Sequence, residues 1–172
     1  MTKDQTNLLE ETRRVLKRIG LPIISRNFAK GEWRLSTGVV HFDNGPGEMI
    51  TVSYKPEPEY MLISDRLAYP ISKEKVGDML EIINELNTFQ IGGTFYLDGK
   101  AAAISVSDGF YVNDPNLDEV TFEKTLQFVM KNGEKFLPMI KDFLSGKGNK
   151  RELFQEIERV KKEGLKNAKI KE

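Results

Sequence analysis

Cysteine is absent from the 172 residues, which excludes disulfide frameworks, thiolate zinc sites and thiol nucleophiles together. Histidine occurs once, at His41, and tryptophan once, at Trp33. A histidine-based triad or general base therefore has a single candidate. That candidate stands beside Phe42 in a short apolar run, where a partly exposed strand residue is the plainer reading. No apolar run approaches the ~20 residues of a membrane-crossing helix, so no membrane partner is expected. The N-terminal residues lead straight into a charged amphipathic pattern without the apolar core of a secretory signal, so a cytoplasmic location is expected. Charge of one sign is also missing, with 26 basic and 26 acidic residues. A protein built to coat nucleic acid carries a strong basic excess, which this chain lacks.

Other chemistry-bearing patterns fail at identifiable positions. Asp114, Asn116 and Asp118 occupy the first three ligand positions of a calcium loop. Glu119 then stands where glycine must make the sharp turn, and Thr125 where a bidentate glutamate is needed. Gly92-Gly93 and Gly45-Pro46-Gly47 do not form a phosphate-binding fingerprint, and Gly146-Lys147-Gly148 lacks the following Ser or Thr that would hold magnesium. Paired acids such as Glu57 and Glu59 carry little weight among 26 acidic residues and read as keeping a loop in water. We therefore assign no catalytic, cofactor-binding or metal residues and expect a non-enzymatic protein. Two alternatives are carried beside this: an enzyme or metal protein with a carboxylate-based site, and nucleic-acid binding through a basic tail.

What the chain does contain is a regular succession of periodicities. Leu8, Leu9, Val15, Leu16 and Ile19 recur at helical spacing, and Gly20 and Pro22 end that helix. Trp33-Arg34-Leu35 then alternates, Val39 to Phe42 forms a short apolar run, and Asn44 to Gly47 is dense turn chemistry. Ile50, Val52 and Tyr54 alternate with Thr51 and Ser53, the pattern of a strand with one wet face, and Tyr60 to Ser64 follows as another strand. Their closeness in sequence favours an antiparallel meander. A second helix is expected from Ser72 to about Leu86, with Val76, Met79, Leu80, Ile83 and Leu86 on its apolar face and Asn87 ending it in a left-handed turn. Phe95 to Leu97 and Ala101 to Val106 flank Asp98-Gly99, which favours a two-residue type I′ hairpin. The third helix is read from Thr121 to Leu144 and is expected to bend near residue 134 because of Pro138.

Gly146 closes this α+β domain, residues 1–146, an antiparallel sheet flanked by helices in the order helix, meander, helix, hairpin, helix. Residues 147–172 are read as a charged helical extension with nine Lys or Arg against five Glu. Glu156, Glu158 and Glu163 interleave with its cations and no aromatic is placed to stack bases, so nucleic acid is not the expected partner. Its short apolar stripe, Leu153, Phe154, Ile157 and Val160, is the candidate protein-interaction surface. The competing expectation is packing on its own domain.

The order of elements, with Ile83-Asn84-Glu85-Leu86-Asn87, Thr94-Phe95-Tyr96-Leu97-Asp98-Gly99 and Val120-Thr121-Phe122-Glu123 at their respective places, resembles the YbjN-like family of bacterial sensory transduction regulators. The fold of that family is similar to type III secretion chaperones. The resemblance covers roughly residues 15–145. It implies a chaperone-like or regulatory adaptor that binds a protein partner and forms a homodimer, and it supplies no catalytic residues. The long early strand region and the charged tail depart from the family pattern.

Overall fold

The computed structural model describes residues 2–40, 48–88, 93–98, 103–113 and 116–169. His41, the 44–47 turn, Gly92, Gly99, the alanines at 101 and 102 and Asp114 lie outside these residues.

Helix α1 (Lys3–Arg18) opens on a capping box, with Thr2 Oγ1 accepting from the Gln5 amide at 3.2 Å and Gln5 Oε1 accepting from the Thr2 amide at 2.9 Å. Strands β1 (Ile23–Ala29), β2 (Glu32–Val40), β3 (Glu48–Pro56) and β4 (Glu59–Ala68) form the expected antiparallel meander. A 3-10 turn (Lys73–Lys75) leads into α2 (Val76–Thr88). The hairpin β5 (Thr94–Asp98) and β6 (Ala103–Tyr111), then α3 (Glu119–Ser145) and α4 (Lys150–Lys169), complete the order. The sheet has six antiparallel strands in the order β1-β2-β3-β4-β6-β5, so the hairpin joins the meander through its second strand. Among the described residues no helix is long and apolar enough to cross a membrane.

Several local expectations need correction. β1 was not legible as a strand, and among the described residues a type I′ turn stands at Lys30-Gly31, where both residues have positive φ (51° and 82°) and Ala29 pairs with Glu32. At Asp98-Gly99 the register is different: Asp98 pairs with Ala103, which leaves four residues in the loop in place of two. The Trp33–Leu35 alternation and the Val39–Val40 run belong to one strand, β2, with a register irregularity between Ser36 and Val39. On α2 the buried residues are Met79, Ile82, Ile83 and Leu86, whereas Leu80 is 53% exposed. Asn87 is helical and does not adopt a left-handed conformation. α3 starts two residues earlier than read, because Asp118 caps it by accepting from the Thr121 amide at 3.0 Å, and it runs unbroken through Pro138.

One parity of the strand residues builds the core. Trp33, Leu35, Ile50, Val52, Tyr54, Met61, Ile63, Leu67, Phe95, Ile104 and Val106 are buried with the inward faces of the helices in a single cluster. α3 lies over β4 and β6, while α2 packs on β5. α4 docks on α2 and α3 and places Leu153 (1% exposed) and Ile157 (0%) in the same core, with Phe154 and Val160 half-buried beside them. Ion pairs close this contact: Lys150 Nζ reaches Asp78 at 2.7 Å and Glu81 at 2.5 Å, Lys161 pairs with Glu85, and Lys135 with Glu156 at 3.4 Å. Lys75 Nζ donates to the Phe143 and Leu144 carbonyls at 2.6 and 2.9 Å, satisfying the C-terminal end of α3.

Candidate functional site

The helices pack against one face of the sheet, and the other strand parity takes no part in the core. Alternate residues of a strand point to opposite sides, so six strands in register present a second face, on which Ser36, Ser105 and Ser107 are buried among larger neighbours and most others are half-buried or exposed. Its middle is a row of hydroxyl residues that crosses every strand: Ser25 pairs with Ser36, Ser36 with Thr51, Thr51 with Ser64, Ser64 with Ser107, and Ser107 with Thr94. Larger residues flank this band. On one side stand Arg34, Lys55, Leu62, Tyr60 and Tyr111, and on the other Met49, Arg66 and Tyr96.

The aromatic end is built by a close backbone approach. Tyr60 and Tyr111 face each other across β4 and β6 with ring centroids 5.3 Å apart in an edge-on arrangement. Gly109 makes this possible, since a Cβ there would fall 2.4 Å from the Met61 carbonyl oxygen and 2.6 Å from the Tyr60 hydroxyl. Tyr111 is 64% exposed and Tyr96 39%.

At the opposite flank the Tyr96 phenol leans over the hydroxyl band. Ser107 Oγ lies 3.3 Å from the Tyr96 hydroxyl and 2.8 Å from Ser64 Oγ. Burial pushes the Tyr96 pKa up. Hydrogen bonds from Ser107, Ser105 and Ser64 outweigh it, the Arg66 charge adds to them, and the net shift is downward. Tyr54 and Tyr60 move the other way, in both cases because burial disfavours the phenolate, with Glu59 and Asp108 respectively adding repulsion. We therefore expect Tyr96 to ionise at lower pH than Tyr54 and Tyr60 in a near-ultraviolet titration. Ser107→Ala should raise that early component and Tyr96→Phe should delete it. A single transition shared by all tyrosines would contradict the hydroxyl cradle.

Arg34 and Arg66 make no ion pair among the described residues, which leaves two guanidinium groups of this face available to a partner. Asp65, the one fully buried charged residue described, lies on the core side between Ile50 and Val106 and contributes nothing to the open face. Among the described residues no group of three acidic or histidine side chains gathers at metal-binding distance.

The four residues singled out in the tail are brought together, but inside the chain's own packing. Leu153 and Ile157 seal the core and Phe154 and Val160 border it. Three of the tail cations are committed too: Lys150 to Asp78 and Glu81, Arg159 to Glu156 and Glu163 at 2.6 Å each, and Lys161 to Glu85 and, at 3.2 Å, Glu158. The open-face residues went unassigned in the sequence. Their signal was the alternation itself, already visible at Thr51 and Ser53 and repeated by Ser64, Arg66, Ser105 and Ser107.

The fold thus defines an α+β protein with a six-stranded antiparallel sheet, helices on one side and an open face on the other. Comparison with protein-family profiles, curated proteins and solved structures finds no match.

Proposed function

We propose that this chain is a non-catalytic protein-binding module, a chaperone-like or regulatory adaptor of the kind implied by the YbjN-like resemblance, and that it binds through the open sheet face. The observation that carries the proposal is the composition of that face. Tyrosines, serines, a glycine and arginines that make no ion pair among the described residues are the side chains that recognition surfaces favour, because they offer contact area and hydrogen bonds at small entropic cost. Six strands about 4.8 Å apart and about seven residues long give a plan area on the order of 700 Å², close to the ~800 Å² that each partner of a stable complex contributes.

The test is differential capture. Immobilised wild-type chain and the helix-side variant Val120→Glu, altered at an exposed α3 position, should retain the same partner. The double variant Tyr111→Ala with Arg66→Glu should lose it. Capture indifferent to the face variant would refute the assignment. Light scattering of the same variants establishes whether the partner on this face is a second copy, as the family resemblance implies.

A further inference from the structure

The two edges of the sheet are treated differently. On β5, the Asn87 side chain closes the ladder: its Nδ2 donates to the Phe95 carbonyl and its Oδ1 accepts from the Phe95 amide, both at 2.8 Å. An asparagine amide thus occupies the place where a further strand would pair. On β1 nothing equivalent is present among the described residues. The Lys30-Gly31 hairpin makes Ala29 and Glu32 a hydrogen-bonded pair, so the alternation directs the backbone N–H and C=O groups of Phe28 and Arg26 away from the sheet.

Beside this open edge lies a cleft of about 510 Å³ between α1 and β1. Arg13, Arg14, Lys17 and Arg26 line it over Leu21 and Ile23, with Glu10 as the only acid. Glu10 is engaged by Arg13 at 2.5 Å, and Arg14 by Glu119 at 2.5 Å, whereas Lys17 and Arg26 have no ion-pair partner among the described residues. Ile24 and Phe28 on the same strand are 58% and 49% exposed.

We infer that the β1 edge and its cationic cleft accept an extended segment of a partner protein carrying acidic side chains, which adds as a seventh strand. The backbone pattern selects a peptide, because the edge offers donors and acceptors in alternation. A nucleic-acid backbone would answer the N–H groups and leave the C=O groups against its phosphates. Charge selects the acidic segment, since every second side chain of an added strand would face the cleft beside Lys17 and Arg26. The same charge rejects a second copy: antiparallel pairing of β1 with itself brings two Arg26 side chains opposite or diagonal to each other and both clefts together. The inference stands apart from the open-face proposal, because a different surface and different residues carry it.

Fluorescence anisotropy with three labelled nine-residue probes tests it: a peptide alternating Glu and Val, its Lys and Val counterpart, and the acidic peptide N-methylated at alternate residues. The full chain should bind the acidic peptide, more weakly as salt rises, and should not bind the basic one. Arg26→Glu together with Lys17→Glu should exchange that preference. Phe28→Pro removes an outward N–H at an edge position that tolerates proline, and should weaken binding about tenfold relative to Phe28→Ala, the scale of a lost backbone hydrogen bond or two. N-methylation should do the same without altering the protein, which covers the case of a Phe28→Pro chain that does not fold. Tyr111→Ala should leave peptide binding intact, so failure of either surface is recognised separately. Absence of acidic-peptide binding, equal binding of the N-methylated probe, or displacement of the peptide by a single-stranded oligonucleotide would overturn the inference.

Discussion

Ile157→Asp is expected to destabilise the protein by on the order of 4 kcal/mol or more, or to detach α4 if that is the cheaper route. The wild-type side chain is fully buried between α4 and the α2–α3 surface. Removing it forfeits roughly 1.5–3 kcal/mol of apolar burial, and the new carboxylate adds a further desolvation penalty in that buried setting. The chain has two ways to respond, and the smaller cost governs. Global unfolding lowers the urea midpoint of every probe together. Local release of α4 instead exposes the 146–149 connection to protease while the sheet signal persists. Phe154→Asp, one residue from the buried Leu153 but itself half-buried, should cost much less. Equal and small effects of both substitutions would show that α4 is not anchored as described.

The second large effect concerns Asn87. Asn87→Ala removes both hydrogen bonds that its side chain makes with the Phe95 backbone, in a part-buried setting, with an expected loss of about 2 kcal/mol. Phe95 is itself 4% exposed and meets Phe136 edge-on at a centroid distance of 5.9 Å, so loosening β5 also disturbs the packing of α3. Asn87→Asp should be at least as damaging, because a carboxylate still accepts from the Phe95 amide but repels the Phe95 carbonyl. Beyond stability, the alanine variant leaves a second unguarded strand edge and should associate in a concentration-dependent manner that the wild type does not show. Chemical denaturation together with light scattering reads both outcomes. An unchanged midpoint would remove the clamp from the account.

The apolar stripe of α4 shows what pattern alone can and cannot carry. Spacing identified Leu153, Phe154, Ile157 and Val160 as one face of a helix. It could not say what covers that face, since core packing and partner docking ask for the same side chains. Lys150 and Lys161 read as a basic tail in one dimension, and become tethers only once α2 brings Asp78, Glu81 and Glu85 alongside. β1 escaped notice because it is an edge strand whose residues from Ile24 onward are exposed, so it has no apolar alternation to display. The hairpin at Asp98-Gly99 was misplaced for a related reason. The dipeptide is a strong local turn signal, but pairing of β5 with β6 sets the register through the whole length of both strands.

The amino-acid sequence by itself determined the four helices and the strands after β1, the wet and dry sides of β3 and the glycine stops after α1 and α3, because each depends on residues within a turn or two of one another. Tertiary structure alone decided which strands are neighbours, that the hydroxyls of six separate strands line up in one row, that Asn87 seals the β5 edge while β1 carries no such clamp among the described residues, and where the cations of α1 and β1 meet. Those features join residues far apart in the chain, and only long-range pairing of the strands brings them into contact.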